Sequence, residues 1–191
     1  LTNIVFMGMG EPLLNYKNVM RSIHFITSEE GLNMSYKRIT LSTSGISKMI
    51  RKLADDNVKV NLALSLHAAN EELRKKIMPI GKSNTLEEIR DSLKYYFSKT
   101  KKKVTYEYVL LRDVNDSIED AYQLYKYTKH LSSKVNIIEY NTVEGLEFKK
   151  SSFEKTEKFI GYLLKKGVNV SLRRSRGKDI NAACGQLANK N

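Results

Sequence analysis

The chain has one cysteine, Cys184, and two prolines, Pro12 and Pro79, in 191 residues. One thiol excludes an internal disulfide and any metal site built from cysteines alone within this chain, and leaves the sulfur either inert and buried or chemically used. No apolar run approaches the roughly eighteen residues of a membrane span. No charged-then-apolar leader opens the sequence either, so a cytoplasmic protein is expected. Acids are the minority charge, 21 against 33 Lys and Arg, for a formal net charge of +12. An excess of that sign favours a polyanionic partner, nucleic acid foremost, although it would also serve solubility alone. Internal repeats are absent, and the only low-complexity tract is Lys101-Lys102-Lys103. At 191 residues and 41% hydrophobic content the chain can bury one substantial core, and a single domain over residues 1–191 is expected.

Six short apolar runs alternate with amphipathic segments. Ile4 to Met7 is too brief for a helix and ends at Gly8, so it predicts a buried strand. Ile39 to Ser42, Val58 to Leu66, Val104 to Leu111, Val135 to Tyr140 and Val168 to Leu172 predict five more. Between them the 3.6-residue period predicts helices. One runs from an Asn15 N-cap to Gly31 and one from Ile46 to Asp55. A third, short one starts at Asn70 and stops before Pro79. Thr85 with Glu88 forms a capping box for a helix from Leu86 to about Lys99, Asp116 or Ser117 opens another, and Ser151 with Glu154 reads as a second box ahead of a helix that ends before Gly167. Strand and helix in alternation mean βαβ units, hence an α/β fold with a parallel sheet, a partial or complete β/α barrel.

Several of those strands end in ligand-capable residues: Gly10 and Glu11, Ser42, Ser65 with Leu66 and His67, and Asn141. Right-handed crossovers put all such ends on one face, where α/β sheets bind their ligands. Taken singly, each pattern also serves ordinary structure. Glu11 between Gly10 and Pro12 is a common turn arrangement, Ser42 to Ser44 can be a helix cap, and His67 can be a hydrogen-bonded loop histidine. Cys184 lies among small residues, as buried structural cysteines do. Arg173, Arg174, Arg176 and Lys178 just before it are either a solvated basic loop or a cluster that lowers a thiol pKa and attracts phosphate.

Met7-Gly8-Met9-Gly10-Glu11-Pro12-Leu13-Leu14, Leu41-Ser42-Thr43-Ser44-Gly45, Ser65-Leu66-His67 and Asp179-Ile180-Asn181-Ala182-Ala183-Cys184-Gly185-Gln186-Leu187 occur in that order. Together they resemble the radical S-adenosylmethionine (SAM) enzymes, and within them the RlmN family of 23S ribosomal RNA adenine C2 methyltransferases. The resemblance covers essentially the whole chain. It implies a partial β/α barrel of the radical SAM type. It also implies SAM and a [4Fe-4S] cluster as cofactors, with 23S rRNA as substrate and transfer RNA as a further one. An electron donor such as a flavodoxin and a monomeric enzyme are expected with it. By the same resemblance Gly10 and Glu11 hold the methionine end of SAM, while Ser42, Ser65, Leu66, His67 and Asn141 contact the rest. Cys184 would be the methylated residue. In the family's scheme one SAM methylates this thiolate, a second yields a 5′-deoxyadenosyl radical at the cluster, and the methylene radical made from the methylated cysteine adds to C2 of adenine.

One departure stands beside the match. The family holds its cluster with a Cys-x-x-x-Cys-x-x-Cys loop, and Cys184 is the only cysteine here. The first strand, that loop, an accessory domain and the second catalytic cysteine are therefore expected upstream of Leu1, and this chain alone is expected to be inactive. Three rivals remain at this level. A Cfr-type enzyme would methylate C8 of the adenine, and Cfr-like sequences are expected to carry Ala where this chain has Pro12. A non-catalytic RNA- or SAM-binding module on the same scaffold is the second, and an unrelated β/α-barrel enzyme the third.

Overall fold

The computed structural model describes residues 1–142, 145 and 147–173. Among them the elements run β1 (Ile4–Phe6), α1 (Tyr16–Thr27), β2 (Ile39–Thr43), α2 (Ser47–Asp55), β3 (Asn61–Ser65), α3 (Glu71–Ile77), α4 (Leu86–Thr100), β4 (Val104–Leu110), α5 (Ile118–Thr128), β5 (Ser133–Glu139), α6 (Phe153–Lys165) and β6 (Val170–Arg173). The alternation of strand and helix read from the sequence is thus borne out. The chain forms two compact units, Leu1–Ser65 with Met78–Thr105, and Leu66–Ile77 with the chain from Tyr106 onward.

In the first unit β1, β2 and β3 lie side by side in chain order and parallel, with Ile4 opposite Ile39, Phe6 opposite Leu41, and Leu41 opposite Leu62. Ile39, Leu41 and Thr43 of β2 are buried on one face, while Leu62, Ala63 and Leu64 of β3 are buried in succession. A run buried on both faces is the mark of an inner parallel strand. Helices α2 and α4 pack on each other; Ile50, Leu53 and Ala54 are buried on one, and Leu86, Ile89, Leu93 and Tyr96 on the other. The buried Tyr96 phenol sits 2.9 Å from the Val58 carbonyl and 2.8 Å from the Val60 carbonyl, tying α4 to the approach of β3. The Thr85–Glu88 capping box starts α4 as read from the sequence, and Lys101 ends it in a left-handed conformation.

The second unit orders its strands β4, β5, β6, and β5 pairs with β6 in parallel, Asn136 opposite Ser171 and Ile138 opposite Arg173. Its core is aromatic: Tyr106 meets Tyr127 edge-on at 5.9 Å between ring centres, and Tyr108 meets Phe159 at 5.5 Å. The Tyr108 hydroxyl donates to the Asn115 carbonyl at 3.0 Å, so a buried phenol keeps its hydrogen bond.

Several element ends differ from the sequence reading. Asn15 makes no capping bond to α1; a 3-10 turn over Pro12–Asn15 precedes that helix and is capped by Glu11 instead. Helix α1 ends at Thr27 rather than running to Gly31, because the Thr27 and Ser28 hydroxyls donate to the Ile23 and Phe25 carbonyls and Ser28 turns extended. Strand β3 begins at Asn61, since Val58 closes the preceding turn with its N–H on Leu53 and Asn57 adopts a left-handed conformation. Helix α6 is capped by Ser152, not Ser151. The Ser151 hydroxyl instead donates to the buried Asp116 carboxylate at 2.7 Å. Of the two openings considered for α5, Ser117 is the cap, in a box with Asp120.

Candidate functional site

The turn after β1 is organised by one carboxylate. Glu11 Oε1 accepts the Leu13 N–H at 3.0 Å, capping the 3-10 turn that Pro12 begins. Its Oε2 accepts both the Ser44 N–H at 2.6 Å and the Ser44 hydroxyl at 2.7 Å. Hydrogen bonds to an ionised acceptor are the strong ones, so Glu11 clasps the end of β2 to the end of β1. Gly10 precedes it at φ +87°, and a Cβ there would meet no atom within 4 Å. The left-handed backbone, rather than crowding within the chain, is what calls for glycine.

Of the three hydroxyls at the end of β2, Ser44 meets Glu11. Ser42 donates to the Phe6 carbonyl at 2.7 Å, and Thr43 is buried with its hydroxyl accepting the Gly45 N–H. The sequence reading favoured Ser42 and overlooked Ser44. Their shared face was legible in the period-2 alternation, but not which of the two would be reached from a neighbouring turn. Ser65 is the half-buried last residue of β3 in the same unit.

Leu66 and His67, next in sequence, belong to the second unit. The Glu107 carbonyl accepts both of their N–H groups, at 3.0 and 3.3 Å. Leu66 is fully buried, and its carbonyl accepts the Ala68 N–H, so its main chain is largely committed. His67 is left-handed at φ +56° and is held there by Asn115, whose amide donates to the His67 carbonyl at 2.7 Å. Asn115 also takes the Leu111 N–H on its oxygen and donates to the Val109 carbonyl. No short-range motif signals this residue, because its partners lie on two separate stretches of chain, one of them 48 positions away.

The His67 ring can be assigned a protonation state from its contacts. Nδ1 accepts the Val109 N–H at 3.2 Å, which requires Nδ1 to be bare and places the proton of the neutral ring on Nε2. Burial, then the positive charge of Arg74, pushes the pKa down to about 4. By residue surface area His67 is half-buried. It is thus a neutral Nε2–H donor at physiological pH. Arg74 itself is fully buried, and its pKa is lowered by that burial against the opposing pull of Tyr127 and Glu71.

A second polar arrangement, unseen in the sequence, crosses β4, β5 and β6. The buried Glu107 carboxylate accepts the Asn136 amide at 2.9 Å and faces Arg173 at 3.4 Å, while Ser171 donates to Asn136 at 2.8 Å. Glu107 lies in a strand whose composition reads as apolar and aromatic, so its partners could be found only once the strands were in register. Asn141 is buried, two residues past the end of β5. Cys184, with Arg174, Arg176 and Lys178, lies outside the described residues.

These residues suit a cationic, hydrogen-bonding ligand better than a metal. A carboxylate offers about four acceptor positions, and Glu11 spends three on its own chain, leaving room on Oε1 for a donor such as an ammonium. Among the described residues no group of three or more His, Cys, Asp or Glu could hold a metal ion.

Comparison with known proteins gives the lineage. Residues 1–125 match the model of the radical SAM superfamily. A protein of Christiangramia forsetii named "Probable dual-specificity RNA methyltransferase RlmN" is 54% identical over 190 residues, which is 100% of this chain and 54% of that relative. The protein of the same name from Flavobacterium psychrophilum is 57% identical over 190 residues, covering 100% of this chain and 55% of the relative. A crystal structure of a radical SAM methyltransferase from Sphaerobacter thermophilus superposes with a TM-score of 0.94 at 41% identity, over 97% of this chain and 55% of that one. The chain therefore spans about half the length of the curated relatives it matches, and the resemblance to RlmN read from its motifs is borne out along all of it. With the α/β partial-barrel fold of that solved structure and the superfamily's model across its first 125 residues, the chain belongs to the radical SAM superfamily, whose full-length enzymes use SAM and a [4Fe-4S] cluster.

Proposed function

We propose that the full-length protein is a radical SAM RNA methyltransferase of the RlmN type. It modifies C2 of an adenine in 23S rRNA and takes transfer RNA as a further substrate. The observation that carries this reading is the ordered set of four motifs in a chain 54–57% identical to RlmN-named relatives from end to end. The excess of 33 basic over 21 acidic residues agrees with an RNA substrate.

Bound SAM, with the cluster, supplies a transferable methyl group and a carbon-centred oxidant. The chain's own residues do the rest. Glu11, with its remaining acceptor position, and Gly10, with its open left-handed backbone, would hold the ammonium end of the cofactor. Ser42, Ser65, the Leu66 main chain, the His67 Nε2–H and the Asn141 amide would contact its remainder. Ser44 joins this set as the residue that fixes Glu11. Cys184 carries the one-carbon unit to the base. A carrier is needed because C2 of adenine is not nucleophilic, so direct transfer from a sulfonium fails. One cysteine cannot supply the three thiolates of a cluster loop, so these 191 residues alone are expected to be inactive.

Pro12 favours C2 over the C8 chemistry of the Cfr type. Mass mapping of the adenine methylated by the full-length enzyme tests the assignment. Methylation at C2 is expected, and methylation at C8 would replace this reading with the Cfr one. No methylation would leave a binding module.

A further inference from the structure

We infer that the first unit carries a second RNA contact, a basic groove at the end of its strands opposite Glu11 and Ser44. The inference rests on the RNA methyltransferase reading above and adds to it a place where the substrate's phosphate backbone docks.

The groove encloses about 450 Å³ and is lined by Asn33, Met34, Tyr36, Lys37, Lys59 and Lys102, among others. The three lysines come from separate stretches of sequence. Each stands just ahead of a strand: Lys37 before β2, Lys59 before β3, Lys102 before Val104. Glu11 and Ser44, by contrast, follow the strands β1 and β2. Among the described residues no carboxylate lines the groove, and none of the three lysines takes part in an ion pair. The two acids nearest Lys59 in sequence are engaged elsewhere. Asp55 accepts the Tyr95 hydroxyl at 2.6 Å, and Asp56 accepts the Tyr16 hydroxyl at 2.6 Å and pairs with Lys52 at 3.1 Å.

Three like charges around one groove repel each other unless an anion joins them. The backbones of Lys37 and Lys102 are nevertheless fixed in place. Asn61 donates to the Lys37 carbonyl at 2.8 Å, Ser35 accepts the Lys37 N–H, and Thr100 accepts the Lys102 N–H. The groove is open to solvent, and Tyr36 beside it is 39% exposed. Separated cations beside an exposed aromatic ring over a buried Met34 floor suit a phosphodiester strand, with a stacking platform for one base.

The test uses the full-length enzyme and an RNA fragment bearing the target adenine, with affinity measured across a salt series. Lys37→Ser/Lys59→Ser/Lys102→Ser is compared with Lys126→Ser/Lys129→Ser/Lys166→Ser, which removes equal charge from the C-terminal ends of α5 and α6 and the residues that cap them. The groove variant is expected to bind about tenfold more weakly near 0.1 M salt, with the slope of log K against log salt reduced by about two. The control variant is expected to stay within about twofold of the wild type. Unchanged affinity in the groove variant, or equal weakening in both, overturns the proposal. RNA affinity retained while reduction by an acidic electron-transfer protein slows would assign the groove to that protein, also overturning it. Failure of the wild type itself to bind RNA would remove the functional reading along with the groove.

Discussion

At the scale of the residue, Glu11 does two jobs with one carboxylate. It caps a turn through Oε1 and clasps Ser44 through Oε2, which leaves one of about four acceptor positions unused. Glu11→Gln replaces one acceptor oxygen by an amide donor. It is expected to cost about 1.5–3 kcal/mol in urea unfolding, the range for hydrogen bonds to charged groups. Ser44→Ala keeps the N–H contact and loses only the hydroxyl, for about 1 kcal/mol. Equal losses from the two variants would mean that the carboxylate is not the hub. His67 gives a pH signature. Its folded pKa of about 4 lies below the ordinary 6.5, so between those values the unfolded chain binds more protons. The stability from the neutral ring is complete above pH 6.5, declines as the pH falls toward 4, and is flat below, with a ceiling of about 3 kcal/mol. Denaturation curves of the wild type and His67→Asn across that window check it. Asn tolerates the left-handed backbone, and the wild type's extra acid sensitivity should vanish in the variant. The sequence made Glu11 and His67 legible as candidates because strand ends are where ligands bind. It did not disclose Ser44, Asn115 or Glu107, whose roles depend on partners brought from other strands.

At the scale of the element, helix starts separate what local pattern decides from what packing decides. Thr85–Glu88 obeys its pattern, because both halves of the box lie within one turn. At α6 two adjacent serines compete, and the pattern alone assigned the cap to the wrong one. Ser151 is drawn away by Asp116, a residue 35 positions distant. Ser152→Ala is therefore expected to cost about 1 kcal/mol as a lost cap. Ser151→Ala, which strips a donor from a buried carboxylate, is expected to cost more, about 2 kcal/mol. Paired chemical denaturation measures the order, and the reverse order would restore Ser151 as the cap. The joint between α4 and β3 offers a second check. Tyr96→Phe keeps the ring's packing but removes the hydroxyl shared by Val58 and Val60, for an expected loss of about 1 kcal/mol.

At the scale of the whole molecule, alternation of strand and helix was readable because each run is short and bounded by turn residues. Cofactor identity was readable only through the ordered motifs, since composition says no more than a basic α/β protein. The chain spans about half the length of its curated relatives, and the thiolates of a cluster loop are not among its residues. Three cysteines are required by the family pattern and one is present. Reconstitution of these 191 residues with iron and sulfide under anaerobic conditions is expected to yield no bound cluster, while the full-length enzyme takes one up. Bound iron and sulfide at cluster stoichiometry in the shorter chain would refute the expectation. The most direct measurement concerns the lone sulfur. The Cys184 peptide of the full-length enzyme, isolated from cells and weighed, is expected to carry the mass of one added methyl group, and Cys184→Ala is expected to abolish adenine methylation. An unmodified Cys184 with undiminished methylation in the alanine variant would contradict the proposed chemistry.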